Sequence, residues 1–216
     1  MKVFTFYSPV EGKREHEERA LIDLWKRSWA AMGWEPTVLG YQSLTFDDEI
    51  SALVRKFKKL PSMNKFNLDY WCYLRWVAVA QQGGGFMCDY DVINYSFEPR
   101  PFDQLTVYAR NEEQYVPCLV SGTSSEFMRA VGWFASYRVP MFARFMERSH
   151  TSDMLILKEH SSSFKLCTEC IEYGDAGWDT ASAVHYCNRV MRPNDLMPRH
   201  EHIERLRPLP SSAAAA

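Results

Sequence analysis

Tyr73-Leu74-Arg75-Trp76-Val77-Ala78-Val79-Ala80-Gln81-Gln82-Gly83-Gly84-Gly85-Phe86-Met87-Cys88-Asp89-Tyr90-Asp91-Val92 is the stretch on which the reading of this chain turns. Leu74, Trp76, Val77, Ala78 and Val79 leave little polar surface, the pattern of a helix buried on all sides. Asn64 or Asn67 is placed to cap that helix, and Gly83-Gly84-Gly85 ends it. Phe86-Met87-Cys88 then reads as a short strand. Asp89 and Asp91 follow it directly, so both carboxylates can turn toward one hard, oxygen-seeking cation such as Mg²⁺ or Mn²⁺. With 11 Asp in 216 residues, an Asp-x-Asp triplet arises by chance in about one such sequence of two, so the neighbouring residues must supply the specificity.

Outward from this segment, strands and helices alternate. Val3-Phe4-Thr5-Phe6-Tyr7 is β-branched and aromatic, and Ser8-Pro9 breaks it, which predicts a first strand. Leu21, Leu24, Trp25, Ser28, Ala31 and Met32 recur at helical spacing over 15–32, Gly33 stops them, and 36–39 makes a second strand. Thr45-Phe46-Asp47-Asp48 supplies caps and early negative charge for a helix carrying Ile50, Leu53, Val54, Phe57 and Leu60. Downstream, strands are expected over 105–109 and 116–120, and a helix capped by Ser124 or Ser125 runs to Tyr137. Further strands are expected near Leu155 and over 183–185. This alternation predicts an α/β layer fold with a largely parallel sheet, whose ligands sit beyond the carboxyl ends of the strands. One domain is expected over 1–207, with Pro208-Leu209-Pro210-Ser211-Ser212 and the alanine tail as a linker over 208–216.

Composition narrows the function. The chain is 46% hydrophobic, and 25 Lys and Arg stand against 27 Asp and Glu, a net charge of −2 that offers no bulk positive field for nucleic acid. No run approaches the roughly 20 apolar residues of a membrane span, and the start is too short for a signal peptide, so a cytoplasmic protein is expected. Six cysteines are too sparse for a disulfide scaffold and fit a reduced compartment. Cys167, Cys170, His185 and Cys187 can be drawn as a zinc site, but residues 185 and 187 lie too close together for good tetrahedral spacing. The charged tail over 189–207 reads as a solvated helix face.

The segment 73–92 resembles the sugar-binding region of GT-A glycosyltransferases with a DXD motif. That group includes capsular-polysaccharide and fungal mannosyl transferases and, more distantly, the clostridial glucosylating toxins. The shared pattern is Leu-Arg, an apolar run, glycines, a hydrophobic residue, then the acidic pair and valine; this chain has three glycines for two and Met87 for the usual tyrosine. The resemblance implies a GT-A single domain with a largely parallel central sheet flanked by helices. It implies a nucleotide-sugar donor, UDP-sugar favoured over GDP-sugar, held through Mn²⁺ or Mg²⁺, and a glycan or glycoprotein acceptor. Asp89 and Tyr90 would contact the donor, Asp89 and Asp91 the metal, and Arg75 the donor hydroxyls or phosphates. Related enzymes often place an Asp three residues before this Arg, where Cys72 stands here, and Asp69 is the nearest acid.

The resemblance also implies that Phe6, Tyr7 and Ser8, at the end of the first strand, hold base and ribose. Core packing is the alternative for Phe6. Ser121 and Gly122 in the small-residue loop 121–125 would approach the donor, or else form a plain strand–turn–helix. His185 would be the third metal ligand, or a satisfied core histidine. Asp179, with Asp175 behind it, is the expected base for deprotonating an acceptor hydroxyl, Glu126 and Glu172 being the other acids considered. A metal-dependent nucleotidyl or phosphoryl transferase would share the Asp pair, but no glycine loop bearing a lysine is present to hold a triphosphate. A non-catalytic carbohydrate-binding module, and a role as one domain of a larger enzyme, remain open alternatives.

Overall fold

The computed structural model describes residues 1–9, 15–62, 64, 68–108, 115–138, 150–187 and 197–209. Strands β1 (Lys2–Phe6) and β2 (Glu35–Leu39) run parallel and are joined by helix α1 (Glu15–Ala31); α2 (Asp48–Phe57) and α3 (Leu68–Gln81) then lead to β3 (Gly84–Cys88), parallel to β1. After β4 (Val92–Asn94) come β5 (Thr106–Val107), β6 (Leu119–Thr123) and α4 (Ser124–Ser136). The described chain closes with α5 (Asp153–Glu159), β7 (Lys165–Leu166), β8 (Cys170–Glu172), β9 (Ala183–His185) and α6 (Arg199–Leu206). The central sheet has the order β2-β1-β3-β6-β5-β7, and a small second sheet has the order β4-β9-β8. β6 is antiparallel to both neighbours, so it alone among the six central strands is reversed.

Alternation along the strands divides the core in two. Phe4, Met87, Val120 and Val107 face a cluster formed with α2, α3, α4 and α5. Val3, Phe86, Cys88 and Leu119 face the other side, where Trp25 and Trp29 of α1, Tyr186 and Ile203 of α6 complete a second cluster. The period of two in a strand makes this inevitable once both faces are covered. α3 explains its own composition: Leu74, Trp76, Val77, Ala78 and Val79 are all fully buried between the sheet and α4.

Several boundaries differ from the sequence-based expectation. The Asp47 carboxylate accepts from the Ile50 amide at 2.7 Å and caps α2, as its pattern predicts. α4 is capped by Thr123, not by Ser124 or Ser125, because the strand before it runs three residues further than 116–120 suggests. The apolar run at Leu155 is helix, not strand: Ser152 caps it and Asp153 lies in its first turn, so the capping residues outweigh the local β propensity. Asn64 spends its amide on the Asp69 carboxylate, and Asn67 and Ala109 lie outside the described residues. Of the expected linker, 210–216 is likewise outside them, while Leu209 packs against the second core cluster.

On the charged tail, Glu201, His202 and Arg205 of α6 are exposed as a solvated face requires, and two arginines depart from it. Arg199 turns inward to Asp91, and Arg207 donates to the carbonyls of Trp178 at 3.0 Å and Ala181 at 2.9 Å. The Asp91 carboxylate and main-chain carbonyls attract these arginines, which a pattern of exposed charges does not reveal. Among the described residues no helix is long and apolar enough to cross a membrane.

Candidate active site

β1 and β3 deliver Tyr7 and Asp89 to the same edge of the central sheet, since parallel strands end together. The reversed β6 contributes its beginning there: the Asp89 amide donates to the Cys118 carbonyl at 2.9 Å, and Val116 and Pro117 reach the same edge. A cavity of about 310 Å³ opens at this place, walled by Phe6, Tyr7, Trp71 and Tyr90, with Arg75, Asp89, Asp91 and Asp153 also lining it. Phe6 stacks near Trp71 with ring centres 6.5 Å apart, and Tyr7 meets Tyr90 edge-on at 6.0 Å. Tyr90 is fixed further by donating its hydroxyl to Glu18 of α1.

Two arginines from opposite faces of the sheet pin the carboxylates. Arg75, on the buried α3, donates to Oδ1 of Asp89 and, at 2.8 Å, to Oδ2 of Asp153. Asp153 is itself buried and accepts also from the Trp76 indole at 3.2 Å. Arg199 of α6 donates to Oδ2 of Asp91 at 2.8 Å and to the Tyr186 carbonyl. The other oxygen of each carboxylate turns toward His185: its Nε2 lies 3.4 Å from Oδ1 of Asp91 and 3.9 Å from Oδ2 of Asp89.

The small sheet is what brings His185 there. β4 and β9 pair antiparallel with Val92 opposite His185, which sets the end of β9 beside the turn that carries Asp89 and Asp91. The Tyr186 amide donates to the Asp91 carbonyl at 2.9 Å and locks this register. Asp89, Asp91 and His185 each present one ligand atom, all within 4.8 Å of one another. Two carboxylate oxygens and an imidazole nitrogen are a donor set that could hold a divalent metal ion. Thiolates would suit zinc better, but Cys170 lies with its sulfur 3.7 Å from that of Cys118, and Cys187 donates to Glu172, so the rival zinc set, disfavoured by its spacing, does not gather among the described residues.

The charges bear this out. Burial works against an ionised Asp91, yet His185 and then Arg199 outweigh it and hold the carboxyl well below its ordinary range. Burial lifts Asp89 above its ordinary value against the pull of Arg75, with Asp91 adding to the rise. Burial would lower His185, but Cys118 and Asp91 raise it well above the usual imidazole range. The group thus holds two acids and one proton-binding imidazole at close quarters, an arrangement that a cation replacing the proton would satisfy. Arg75 and Arg199 each retain a buried Nε without a partner among the described residues, which leaves donors beside the carboxylates.

Phe6, Tyr7, Ser8, Arg75, Asp89, Tyr90 and Asp91 therefore surround one cavity, and His185 stands against its acidic floor. Ser121 and Gly122 do not join them. They pair with Phe86 and Gly85, at the beginning of β3, because β6 is reversed and its end points away from Asp89. Ser121 instead bonds Tyr108 through the two hydroxyls at 3.0 Å. Asp175 and Asp179 lie in the turns after β8, Asp179 exposed, and neither lines the cavity. Glu126 accepts from Arg129 and the Leu105 amide, and Glu172 from Cys187. Asp153, Arg199 and Glu18 were not anticipated. For Asp153 the signal existed in Ser152-Asp153 ahead of an apolar run; for Arg199 and Glu18 no local pattern marks them among their charged neighbours.

The fold is a single α/β domain with a mostly parallel central sheet flanked by helices. No family model and no curated protein matches the chain. Among solved structures it is similar to the crystal structure of a glycosyltransferase involved in the glycosylation of the major capsid of PBCV-1, with a TM-score of 0.51 at 10% identity, covering 94% of this chain and 98% of that one. At that identity the likeness concerns the fold.

Proposed function

We propose that this chain is a metal-dependent glycosyltransferase that moves a hexose from a nucleoside-diphosphate sugar, UDP-sugar in the first instance, to a hydroxyl of a glycan or glycoprotein. The observation that carries the proposal is the convergence of Asp89, Asp91 and His185 at the floor of an aromatic-walled cavity, each carboxylate pinned through its other oxygen by an arginine. The fold it shares with a glycosyltransferase supports the same reading.

Each group has a part in such a transfer. The rings of Phe6, Tyr7 and Trp71 offer faces for a nucleotide base, and the Arg75 guanidinium, which lines the same cavity, offers positive charge to phosphate oxygens. Asp89, Asp91 and His185 would hold Mn²⁺ or Mg²⁺, which as a Lewis acid stabilises the negative charge that grows on a leaving diphosphate. Arg75 cannot drift when the site is empty, because Asp153 anchors the far side of its guanidinium. That anchoring keeps the donors in place before substrate arrives, which is where electrostatic catalysis gains most. Cys72 lines the cavity as a neutral thiol, its pKa pushed up by burial, and the second carboxylate on Arg75, beside Asp89, comes from α5 and not from α3.

The test is calorimetric titration of UDP and GDP, alone and as hexose conjugates, with Mn²⁺ and with EDTA, on the wild type and on Asp91→Asn. We expect one nucleotide to bind with Mn²⁺, to lose at least tenfold in affinity under EDTA, and to lose as much in the variant. If no nucleotide binds with or without metal, the transferase reading fails.

A further inference from the structure

A second cavity, of about 520 Å³, lies on the other side of Trp71, between the end of α2 and the start of α3. Trp71 is a wall of both cavities, and Tyr41, Lys58, Asp69, Tyr70 and Tyr73 line the second. Three features of its lining are unusual. The Tyr73 side chain is buried, only 1% of the residue being exposed, and its hydroxyl has no hydrogen-bond partner among the described residues. Asp69 is buried too, its carboxylate oriented by Ser62 and by the Asn64 amide at 3.0 and 3.1 Å. At the rim, Tyr41 and Phe46 stay 44% and 40% exposed with ring centres 5.1 Å apart, and Tyr41 meets Trp71 edge-on at 6.1 Å.

A buried phenol without a partner is a cost that a ligand hydroxyl would remove. Burial also pushes the Tyr73 phenol up, so it remains a donor at any physiological pH. Exposed aromatic faces attract flat surfaces that are apolar on the face and polar at the edge. A phosphate is disfavoured, because a carboxylate, Asp69, lines the cavity with its oxygens taken up by Ser62, Asn64 and His150, the last at 3.7 Å, and the one lysine in the lining, Lys58, stands 5.7 Å over the Tyr70 ring. A pyranose ring has the required character: C–H groups on its faces, hydroxyls around its edge and no charge.

We propose that this second cavity binds one pyranose unit of the acceptor glycan, its face against Tyr41, its rim toward Trp71 and its hydroxyls read by Tyr73 and Asp69. Calling that sugar an acceptor rests on the donor reading of the first cavity; the sugar site itself does not. The experiment is saturation-transfer NMR with methyl pyranosides of glucose, galactose, mannose, N-acetylglucosamine, fucose and xylose, with UDP or GDP and Mn²⁺ present, on wild type, Tyr73→Phe and Tyr41→Ala. We expect at least one glycoside to receive saturation at its ring C–H groups. Its Kd should rise at least fivefold in Tyr73→Phe, while the Tm of that variant holds or rises because it loses only an unpartnered hydroxyl, and at least tenfold in Tyr41→Ala. Binding by none of the glycosides, or binding unchanged in both variants, overturns the proposal. Nucleotide binding is read in the same samples: glycoside bound without nucleotide overturns the donor reading and leaves the sugar site standing, and the reverse does the opposite.

Discussion

At the start of β3, Gly84 has φ +84°, and a Cβ there would lie 2.5 Å from the Gly122 carbonyl oxygen and 2.6 Å from the Ser124 amide nitrogen. At the other end of the same short strand, Asp89 is held by one arginine and faces a histidine across open space. One end is backbone against backbone with no room for a side chain; the other is charge against charge around a cavity. Both are rich in small or polar residues in the sequence, which is why the loop at Ser121 and Gly122 looked like a ligand site. The difference teaches that a small residue marks close approach, and only strand direction decides whether the approach is to a ligand or to the neighbouring backbone.

The comparison predicts that the two ends fail in different ways. Gly84→Val, the largest effect, should cost more than about 4 kcal/mol, since positive φ and a blocked Cβ add together. The protein should then be unfolded or insoluble by circular dichroism. Gly83, with φ +93° and nothing within 4 Å of its Cβ position, is the control: Gly83→Ala should cost only about 1 kcal/mol. Similar losses in the two variants would show that backbone strain alone, and not the packing against Gly122, limits this turn.

At the charged end the next effect is Arg75→Met. It leaves Asp89 and the buried Asp153 without their guanidinium, and we expect about 3 kcal/mol of lost stability in urea together with a loss of metal-dependent nucleotide binding. Asp153→Asn keeps a shape that accepts from Trp76 and should cost less, about 1–2 kcal/mol, while weakening nucleotide binding several-fold. If nucleotide binds Asp153→Asn as it binds the wild type, the anchoring of Arg75 is structural only.

The sequence reading reached the acidic pair and its arginine on one continuous segment and, through the family resemblance, His185 and the end of the first strand. Arg75, Asp89 and Asp91 share the helix–turn–strand unit 73–92, whose geometry is set by local rules of helix burial and glycine turns. The pattern shows the strand end that carries Phe6, Tyr7 and Ser8, and the resemblance is what implied a part for them in the site. Asp153 and Arg199 were not, since each is joined to the site only by tertiary packing across more than 70 residues of chain. The reversed direction of β6 was hidden for a related reason. Nothing within 116–123 distinguishes a parallel from an antiparallel strand; the route taken by the preceding residues does.

The smallest effect is the most discriminating, because it sets identical chemistry at the two ends. Thr123 and Ser152 each cap a helix with a side-chain oxygen, accepting from the Glu126 amide at 3.3 Å and the Leu155 amide at 3.4 Å. Thr123→Ala and Ser152→Ala should each cost about 1 kcal/mol, the usual value for a lost N-cap. Stability cannot separate them, but function should. Thr123 belongs to the packed end, so its loss should leave nucleotide affinity within a factor of two. Ser152 holds the turn of α5 that carries Asp153, and Asp153 holds Arg75, so Ser152→Ala should weaken metal-dependent nucleotide binding at least threefold. Equal affinities in the two variants would mean that Asp153 keeps its position without its cap, and that the site depends on α5 only through its packing against the core.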